Sequence, residues 1–435
     1  MKKMKRFCLT WLLISITIFV SAQTNVDAII NSKEAERIEK ILASDEMQGR
    51  RAGTPAIDKA ASFIADEFQK AGLQPFTGKS FLQAFHKTKT KVISVKAEID
   101  EQELNPVRVI VHSTSTQTKV DEKSGLEIVH IKSGKTMREQ MPQVMESDKS
   151  MIVFVDSSFA RNFPRLADFA PEGFSTDPQN SRVVIYILGS YQPTKFRIKA
   201  ESVVQSTPYA NLVGVLPGKS KPSEYVIFSA HYDHLGIAKK PVNGDSIYNG
   251  ANDDAAGTTA VILLAKYFKA LGNNERTIIF AAFTAEELGG YGSQYFSKQL
   301  DPGKVVAMFN IEMIGTESKW GKNSAYITGF DKTSMGEILQ KNLAGSGFTF
   351  YPDPYPQQNL FYRSDNATLA RLGVPAHTIS TAKMDEEPHY HKLTDEVSTL
   401  DLQNMTIIIR SIALSATTIV AGKDTPTRVK VEELK

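Results

Sequence analysis

The sequence Tyr225-Val226-Ile227-Phe228-Ser229-Ala230 runs directly into His231-Tyr232-Asp233-His234. A short, almost wholly apolar run that stops at polar side chains predicts a buried strand, because the run is too brief for a helix. Two more runs of this kind occupy residues 277–283 and 305–311, and residues 255–271 show the apolar spacing of a helix. This alternation predicts an α/β fold in which a mixed central sheet carries helices on both faces.

The sequence pattern of residues 91–200 differs from that of the chain on either side. Short strand-like pieces stand there between charged and polar stretches, and Pro and Gly interrupt the rest. We interpret this segment as an inserted β-rich module without evident chemistry, which would shape access to a site or make contacts. Residues 23–90 and 201–435 are predicted to form one domain, with helical patterns at 33–43 and 56–71 joining the α/β alternation.

The first 22 residues have the pattern of a secretory signal peptide. A basic stretch over residues 2–6 precedes an apolar core over 7–20, and Val20-Ser21-Ala22 offers small residues for cleavage. A retained membrane anchor is the alternative, but the apolar core is short for a membrane span. We expect export to the periplasm or beyond, with no membrane span after cleavage. Loss of Cys8, the only cysteine, would leave neither disulfide nor thiolate metal ligand.

The charge of the chain gives no indication of a nucleic-acid partner. The formal net charge is +3, but four of the 51 basic residues lie within residues 2–6. Removing those four leaves 47 basic against 48 acidic residues, so the remaining chain has a net charge of −1. Nucleic-acid binding requires a basic surface. No pattern in the sequence indicates an oligomeric state.

Five stretches carry metal-binding and proton-transfer side chains. Each lies at the end of an apolar run, just before a helical segment or in a polar loop. They are Ala230-His231-Tyr232-Asp233-His234, Gly250-Ala251-Asn252-Asp253-Asp254, Thr284-Ala285-Glu286-Glu287, Asn310-Ile311-Glu312-Met313 and His389-Tyr390-His391. Each stretch alone also has a structural explanation, such as helix capping or compensation of a helix dipole. In an α/β sheet, however, sites form at the carboxyl ends of the strands, where we expect most of these stretches to lie.

The side chains of the first two stretches suit a site for metal ions. His231 can bind zinc as a neutral imidazole, and Asp233 can supply the carboxylate that orients the other ring nitrogen. Asp253 can bridge two cations about 3.5–4 Å apart. Asp254, its neighbour, can cap the helix that follows.

The other three stretches offer a base and further ligands. Glu287 is assigned as a metal ligand, and its neighbour Glu286 as the general base that takes a proton from water. Glu312 lies in an otherwise apolar segment and needs a partner, which is either a metal ion or a buried ion pair. His389 and His391 are both candidates for the last ligand, and either can instead be a surface residue.

Taken together, these stretches resemble the zinc-dependent aminopeptidase family that includes bacterial secreted leucyl aminopeptidases and the catalytic domain of glutamate carboxypeptidase II. The resemblance covers about residues 33–75 and 205–420. The family's ordered motifs match His231 with Asp233, Gly250 to Gly257, Glu286 with Glu287, and Tyr390-His391 followed by Asp395. Such a resemblance implies the phosphorylase/hydrolase-like fold of zinc exopeptidases.

Two Zn²⁺ ions are implied by the resemblance. One ion would be held by His231, Asp253 and Glu312, and the other by Asp253, Glu287 and His391. The family commonly has Asp where Glu312 stands, so this carboxylate reaches one methylene further. We still expect Glu312 to be a ligand.

The resemblance also implies two further features of the site. Tyr390 would hydrogen-bond the oxyanion that forms during hydrolysis. The peptide bond between Asp253 and Asp254 is expected to be cis. Residues 91–200 stand where relatives carry a protease-associated or similar insertion.

The predicted function is that of an exported exopeptidase acting on peptides, most simply an aminopeptidase. In this interpretation, water activated by two zinc ions and Glu286 hydrolyses the N-terminal peptide bond. Carboxypeptidase or dipeptidase activity on the same scaffold is the alternative, as is an inactive homologue that only makes interactions. A single-zinc glutaminyl cyclase is less favoured, because both sets of zinc ligands look complete.

Overall fold

The computed structural model describes residues 26–145, 147–169, 173–174 and 182–434. The predicted signal peptide, residues 1–22, lies outside the described residues. The chain divides into two compact units: one combines the residues up to Ala84 with those from Tyr209 onward, and the other is Phe85–Pro208. The limits predicted from the sequence, after residues 90 and 200, differ from these by six and eight residues.

The strands are numbered in chain order. They are β1 Gln74–Pro75, β2 Leu82–Ile99, β3 Gln102–Glu103, β4 Val109–His112, β5 Gln117–Asp121, β6 Glu127–Ile131, β7 Met151–Val155, β8 Gly173–Phe174, β9 Val184–Leu188, β10 Phe196–Leu216, β11 Lys221–His231, β12 Gly236–Val242, β13 Asp245–Tyr248, β14 Arg276–Phe283, β15 Val305–Ile311, β16 Ser324–Ile327, β17 Thr349–Pro352 and β18 Ala376–Ser380. The chain passes from one unit to the other within β2 and again within β10.

The α-helices are numbered in the same way. They are α1 Ser32–Leu42, α2 Pro55–Lys70, α3 Met137–Gln140, α4 Pro142–Met145, α5 Ala256–Leu271, α6 Tyr291–Ser297, α7 Met335–Asn342, α8 Asn366–Ala370, α9 Leu402–Ser415 and α10 Thr417–Val420. Proline and glycine residues mark the two ends of α2. Pro55 opens α2, where its missing N–H costs nothing, and Gly72 follows the helix with a φ of +73°.

The first unit is built on a mixed sheet. Its strands follow the order β17-β16-β18-β15-β11-β14-β10. Strand β11 pairs in parallel with β14 on one side and with β15 on the other, and β15 pairs in parallel with β18. Strands β10 and β16 join the parallel centre in antiparallel orientation. This arrangement confirms the mixed α/β sheet predicted from the sequence.

Helices cover both faces of this sheet. Alternate residues of β14 enter two separate cores, Ile278, Phe280 and Ala282 in one, and Ile279, Ala281 and Phe283 in the other. The first core also contains residues of α1, α2, α5 and α9, and the second contains residues of α6 and α8. A strand covered on both faces needs apolar residues at every position, which explains the unbroken apolar runs.

Parallel pairing brings the carboxyl ends of three strands to one edge of the sheet. His231 at the end of β11 lies opposite Phe283 at the end of β14. Ser229 of β11 lies opposite Asn310 near the end of β15. The residues that follow these strands therefore share one edge, as sites in α/β sheets do.

The second unit contains a separate four-stranded sheet in the order β4-β9-β7-β6. Strand β7 is buried throughout and pairs in parallel with both β6 and β9. Strand β4 closes the other edge in antiparallel orientation to β9. The unit thus has a hydrophobic core of its own.

Glu67 on α2 is a buried carboxylate surrounded by cations. Its oxygens lie 2.6 Å from Lys266 Nζ, 2.9 Å from Arg37 Nη2 and 3.2 Å from Lys70 Nζ. Burial alone would raise the pKa of Glu67, but the hydrogen-bonded Lys266 and Arg37 outweigh it and lower the pKa to about 2. Because this pKa lies below the unfolded value of roughly 4.3, the carboxylate stabilises the fold above that value. The contribution is lost as the pH falls toward 2.

We expect Glu67→Gln to lower the free energy of unfolding by roughly 1–3 kcal/mol near neutral pH. The variant should also lose less stability than the wild type between about pH 5 and 2. Urea denaturation at a series of pH values measures both effects. Glu36→Gln is the matched control, because Glu36 pairs with Lys40 on the exposed side of α1 and should contribute under about 1 kcal/mol. Parallel pH profiles for Glu67→Gln and the wild type would contradict the expectation.

Candidate metal centre

His231 ends β11 with its ring buried and oriented. Its Nδ1 lies 3.1 Å from the main-chain oxygen of Asp233, which can only accept, so Nδ1 carries a proton and Nε2 is the nitrogen that can bind an ion. Nε2 lies 3.2 Å from Asp253 Oδ1 and 3.3 Å from Glu312 Oε1. A histidine held in this tautomer presents a lone pair toward both carboxylates.

The carboxylate of Asp233 makes a different contact from the one predicted. Its Oδ1 is 3.8 Å from His231 Nδ1, beyond hydrogen-bond distance, and accepts instead from the main-chain N–H of Glu286 at 3.1 Å. Burial and the charge of Glu287 raise the pKa of Asp233 to about 7, although His231 opposes the shift. Asp233 therefore orients His231 through its main chain and Glu286 through its side chain.

Two consecutive aspartates, Asp253 and Asp254, lie in the segment after β13. The peptide bond between Asp253 and Asp254 is cis, as predicted. Both oxygens of Asp395 accept main-chain N–H bonds, from Asn252 at 2.8 Å and from Asp253 at 3.0 Å. These bonds fix the main chain so that the Asp253 carboxylate faces the histidines.

Asp254 does more than cap the following helix. Its Oδ1 accepts from Gly257 N at 3.0 Å, which is the predicted capping contact, and from Met313 N at 3.1 Å. Its Oδ2 accepts from His231 N at 3.3 Å. Asp254 thus joins α5 to the ends of β11 and β15.

Glu286 and Glu287 follow β14 and face different groups. Glu287 Oε2 lies 3.2 Å from His391 Nε2, as expected for two ligands of one ion. Burial, with the charges of Glu312 and Asp365, raises the pKa of Glu286 well above its usual range, against the opposing effect of His231. The carboxylate of Glu287 therefore lies among the candidate ligands, and the carboxylate of Glu286 lies beside them.

Glu312 and His391 complete the two clusters. Glu312 directly follows β15, and its Oε2 accepts from Ser364 Oγ at 2.7 Å while Oε1 faces His231. His391 Nε2 lies 3.2 Å from Asp253 Oδ2. His389 instead contacts Thr394 Oγ1 at 2.9 Å, so the structure brings His391 to the site and not His389.

The clusters fit metal ions on chemical grounds. Zinc bound tetrahedrally by N and O atoms at about 2.0–2.2 Å separates its ligands by roughly 3.3 Å. The distances between histidine Nε2 atoms and carboxylate oxygens in the two clusters are 3.2 to 3.3 Å. The residues concerned are His231, Asp253, Glu312, Glu287 and His391. Asp253 Oδ2 and Glu287 Oε1 are buried and have no hydrogen-bond partner in the described part of the chain, which is costly unless a cation lies between them. Asp253 belongs to both groups of side chains whose ligand atoms lie close enough to hold one ion, with His231 and Glu312 in one group and with His234 and Glu287 in the other.

Comparison with known proteins shows a family match for part of the chain. Residues 211–416 match the model of Peptidase family M28. The chain carries an M28 peptidase domain. All five predicted ligands of the M28 domain lie within the matched residues.

Relatives of the M28 domain include fungal enzymes. Leucine aminopeptidase 1 of Paracoccidioides brasiliensis (strain Pb03) is 26% identical over 226 residues, which are 48% of this chain and 55% of that protein. A probable zinc metalloprotease of Pyrenophora tritici-repentis is 32% identical over 117 residues, 26% of each chain. This chain spans about half the length of the leucine aminopeptidases it matches.

Solved structures share the fold of the M28 domain at lower identity. The aminopeptidase from Aneurinibacillus sp. strain AM-1 has a TM-score of 0.53 and 18% identity, covering 94% of this chain and 98% of its own. The zinc aminopeptidase BSAP from Bacillus subtilis has a TM-score of 0.53 and 17% identity, covering 93% and 97%. Among the described residues, no helix combines the length and hydropathy needed to cross a membrane.

Two buried residues next to the candidate metal centre were missed from the sequence. His234 is fully buried, and its Nδ1 lies 2.9 Å from Glu287 Oε1. Arg50 is also fully buried, and its guanidinium donates to the main-chain oxygens of Tyr232 and Gly250 at 2.8 Å each. The only sequence signal for His234 is a second histidine three residues after the first. Arg50, far away in the chain, gives no local signal.

A cavity opens beside Glu312 in the M28 domain. It encloses about 440 Å³ including its open mouth. The lining combines apolar and hydroxyl side chains with one arginine: Glu312, Met313, Tyr326, Thr328, Leu360, Arg363, Ser364, Thr378, Ser380, Ala382, Met384 and Tyr390. A substrate bound at the candidate metal centre would find this space next to Glu312.

Proposed function

We propose that the protein is an exported zinc aminopeptidase that binds two zinc ions and removes residues from the free N-terminus of peptides. The observation that carries this proposal is that Asp253 lies between His231 and Glu312 on one side and His391 and Glu287 on the other, with Glu286 next to Glu287. The leucine aminopeptidase relatives support the substrate class. The signal-peptide pattern over residues 1–22 supports export.

Bound zinc ions would polarise the scissile carbonyl and acidify a water molecule. Glu286 would accept the proton of that water and return it to the leaving amine. Three main-chain bonds hold Glu286 for this task, because its N–H donates to Asp233 and its carbonyl accepts from Gly289 and Gly290. The side chain that moves the proton is thus carried on a fixed backbone.

Tyr390 is suited to stabilise the oxyanion. It lines the cavity together with Glu312, and its ring stacks on His391 with centroids 3.9 Å apart. Burial, with the charges of Asp253 and Glu312, raises the pKa of Tyr390 well above its usual range. Its hydroxyl therefore stays protonated at neutral pH and can donate a hydrogen bond to developing negative charge.

The cavity favours an apolar N-terminal side chain. Its apolar lining includes Leu360 and Met384. Two of its hydroxyl groups already donate within the protein, Ser364 to Glu312 and Thr378 to Asn366. Ser364 and Thr378 therefore offer no free donor to a polar substrate group, so leucine-like side chains suit this part of the cavity better.

The test compares aminoacyl amides, N-acetylated peptides and dipeptides with zinc-loaded full-length protein. We expect leucyl and methionyl amides with a free amine to be hydrolysed, and N-acetylated versions to be resistant. Cleavage of N-acetylated peptides from the carboxyl end would instead establish a carboxypeptidase, and cleavage of dipeptides alone a dipeptidase. Zinc binding without any hydrolysis would indicate an inactive homologue and overturn the proposal.

A further inference from the structure

His234 is a buried histidine that the predicted ligand sets leave out, although its ring lies close enough to Asp253 and Glu287 for the three side chains to hold one ion. Its Nδ1 lies 2.9 Å from Glu287 Oε1 and 3.9 Å from Asp253 Oδ2. Neither ring nitrogen has a hydrogen-bond partner among the described residues, and Glu287 Oε1 has none either. An imidazole buried in this state is costly for the fold unless it serves a partner in the site.

The position of the His234 ring is set by the residues packed around it and by its own main chain, and not by hydrogen bonds of the ring nitrogens. The main-chain N–H of His234 donates to the carbonyl of Arg50 at 3.2 Å. Gly250 packs against the ring so closely that a Cβ at that position would collide with it. The ring is also edge-on to Tyr248, with centroids 6.4 Å apart. The fold therefore directs His234 toward Glu287 before any ligand contributes.

The two oxygens of Glu287 face two different histidines. Oε2 lies 3.2 Å from His391 Nε2, which is the separation of two ligands on one ion, and Oε1 lies beside His234 Nδ1. Carboxylates that bind metal are themselves usually hydrogen-bonded by outer groups, which fix their orientation. His234 is the group placed to do this for Glu287.

We propose that His234 is a positioning residue of the second ion subsite. With the ion bound, a hydrogen bond from its Nδ1–H to Glu287 Oε1, 2.9 Å away in the structure, would hold the carboxylate with Oε2 toward the ion. The inference rests on the proposed zinc function, and it assigns His234 no contact with substrate. Because the effect is on the ligand, its signature is a change in zinc affinity and not only in turnover.

The experiment measures zinc binding by competition with a chromophoric chelator, using full-length wild type, His234→Ala, His234→Asn and His391→Ala. We expect His234→Ala to weaken one of the two zinc affinities by about 10–100-fold and to leave the other unchanged. His234→Asn keeps an N–H donor near the position of Nδ1 and should restore the affinity to within about threefold. His391→Ala removes a ligand and should lose that ion.

Two results would overturn the inference. Unchanged zinc affinities in His234→Ala would show that Glu287 needs no support from this ring. With Co²⁺ in place of zinc, an absorption spectrum altered in His234→Ala as it is in His391→Ala would make His234 a direct ligand. Circular dichroism of the metal-free variants verifies folding. His234→Leu, which fills more of the buried space but has no N–H donor, replaces His234→Ala if that variant fails to fold.

The outcome is separable from that of the aminopeptidase proposal. Wild type that binds two zinc ions but hydrolyses nothing would remove the activity and leave the inference on His234 standing. Active wild type with an unaffected His234→Ala variant would remove the inference alone. Wild type that binds no zinc would overturn both.

Discussion

Glu286→Gln should lower turnover by roughly 10²–10⁴-fold while zinc content remains close to two ions per chain. Glutamine has the size of glutamate but cannot accept the proton of the attacking water. The backbone of Glu286 is held by Asp233, Gly289 and Gly290, and those main-chain bonds do not depend on its side chain. The substitution therefore removes proton transfer and leaves the ligand clusters in place.

The neighbouring residue provides the matched control for this experiment. Glu287→Gln changes the adjacent side chain by the same chemistry, but its oxygens face His391 and His234. We expect Glu287→Gln to lose zinc, measured by elemental analysis after dialysis, and activity with it. If Glu286→Gln kept activity comparable to the wild type, or lost zinc as Glu287→Gln does, the assignment of the two glutamates would be wrong.

Strand ends made most of the site predictable. His231, Glu287 and Glu312 follow apolar runs, and each run is a parallel strand of the same sheet. Because such strands end at one edge, polar residues far apart in sequence could be placed together without knowing the loops. Helix limits at this centre were also accurate, as α5 begins at Ala256 against the predicted 255.

Contacts that depend on side-chain direction could not be predicted. The sequence places Asp233 two residues after His231, but only the backbone decides whether its carbonyl or its carboxylate meets the ring. His234 was missed because a histidine just past a strand end can point to solvent or inward. Its burial results from Arg50 and Gly250, which are distant in sequence.

The long strands at the unit limits were also only partly predicted. Strand β2 spans 18 residues, of which the sequence indicated only a piece near Val92–Val95. Its middle reads His86-Lys87-Thr88-Lys89-Thr90-Lys91, where polar residues dominate and no apolar run marks a strand. Strand formation here depends on pairing with other strands, which periodicity does not report.

Asp253→Asn should remove zinc from both subsites at once. The two oxygens of Asp253 divide between the clusters, with Oδ1 3.2 Å from His231 Nε2 and Oδ2 3.2 Å from His391 Nε2. Asparagine has the same size as aspartate, but its only oxygen is neutral and can face just one subsite. Its NH₂ group then faces the other subsite, where it places a hydrogen-bond donor and not a metal ligand. We expect both zinc affinities to fall by at least about 100-fold, a larger loss than outer hydrogen-bond partners cause, and hydrolysis to fall with them.

Glu312→Gln is the comparison that tests whether Asp253 bridges. Glu312 faces only the His231 cluster, so its loss should weaken one ion and spare the other. Elemental analysis should then give about one zinc per chain for Glu312→Gln and less than one for Asp253→Asn. If Asp253→Asn also kept one tightly bound ion, Asp253 would serve a single subsite and the two clusters would be independent.

Thermal stability separates loss of metal from loss of fold. Without zinc, Asp253 is a buried carboxylate whose pKa burial would raise, but the hydrogen-bonded His231 and His391 and the nearby His234 lower it below its usual range. Because a lowered pKa means that the charged form stabilises the fold at neutral pH, the metal-free variant should unfold below the temperature of the metal-free wild type. Added zinc stabilises a folded protein by about 2.7 kcal/mol at 100 times its Kd. Wild type should therefore gain stability on zinc addition and Asp253→Asn should not, because the carboxylate that both ions would share is missing from the variant.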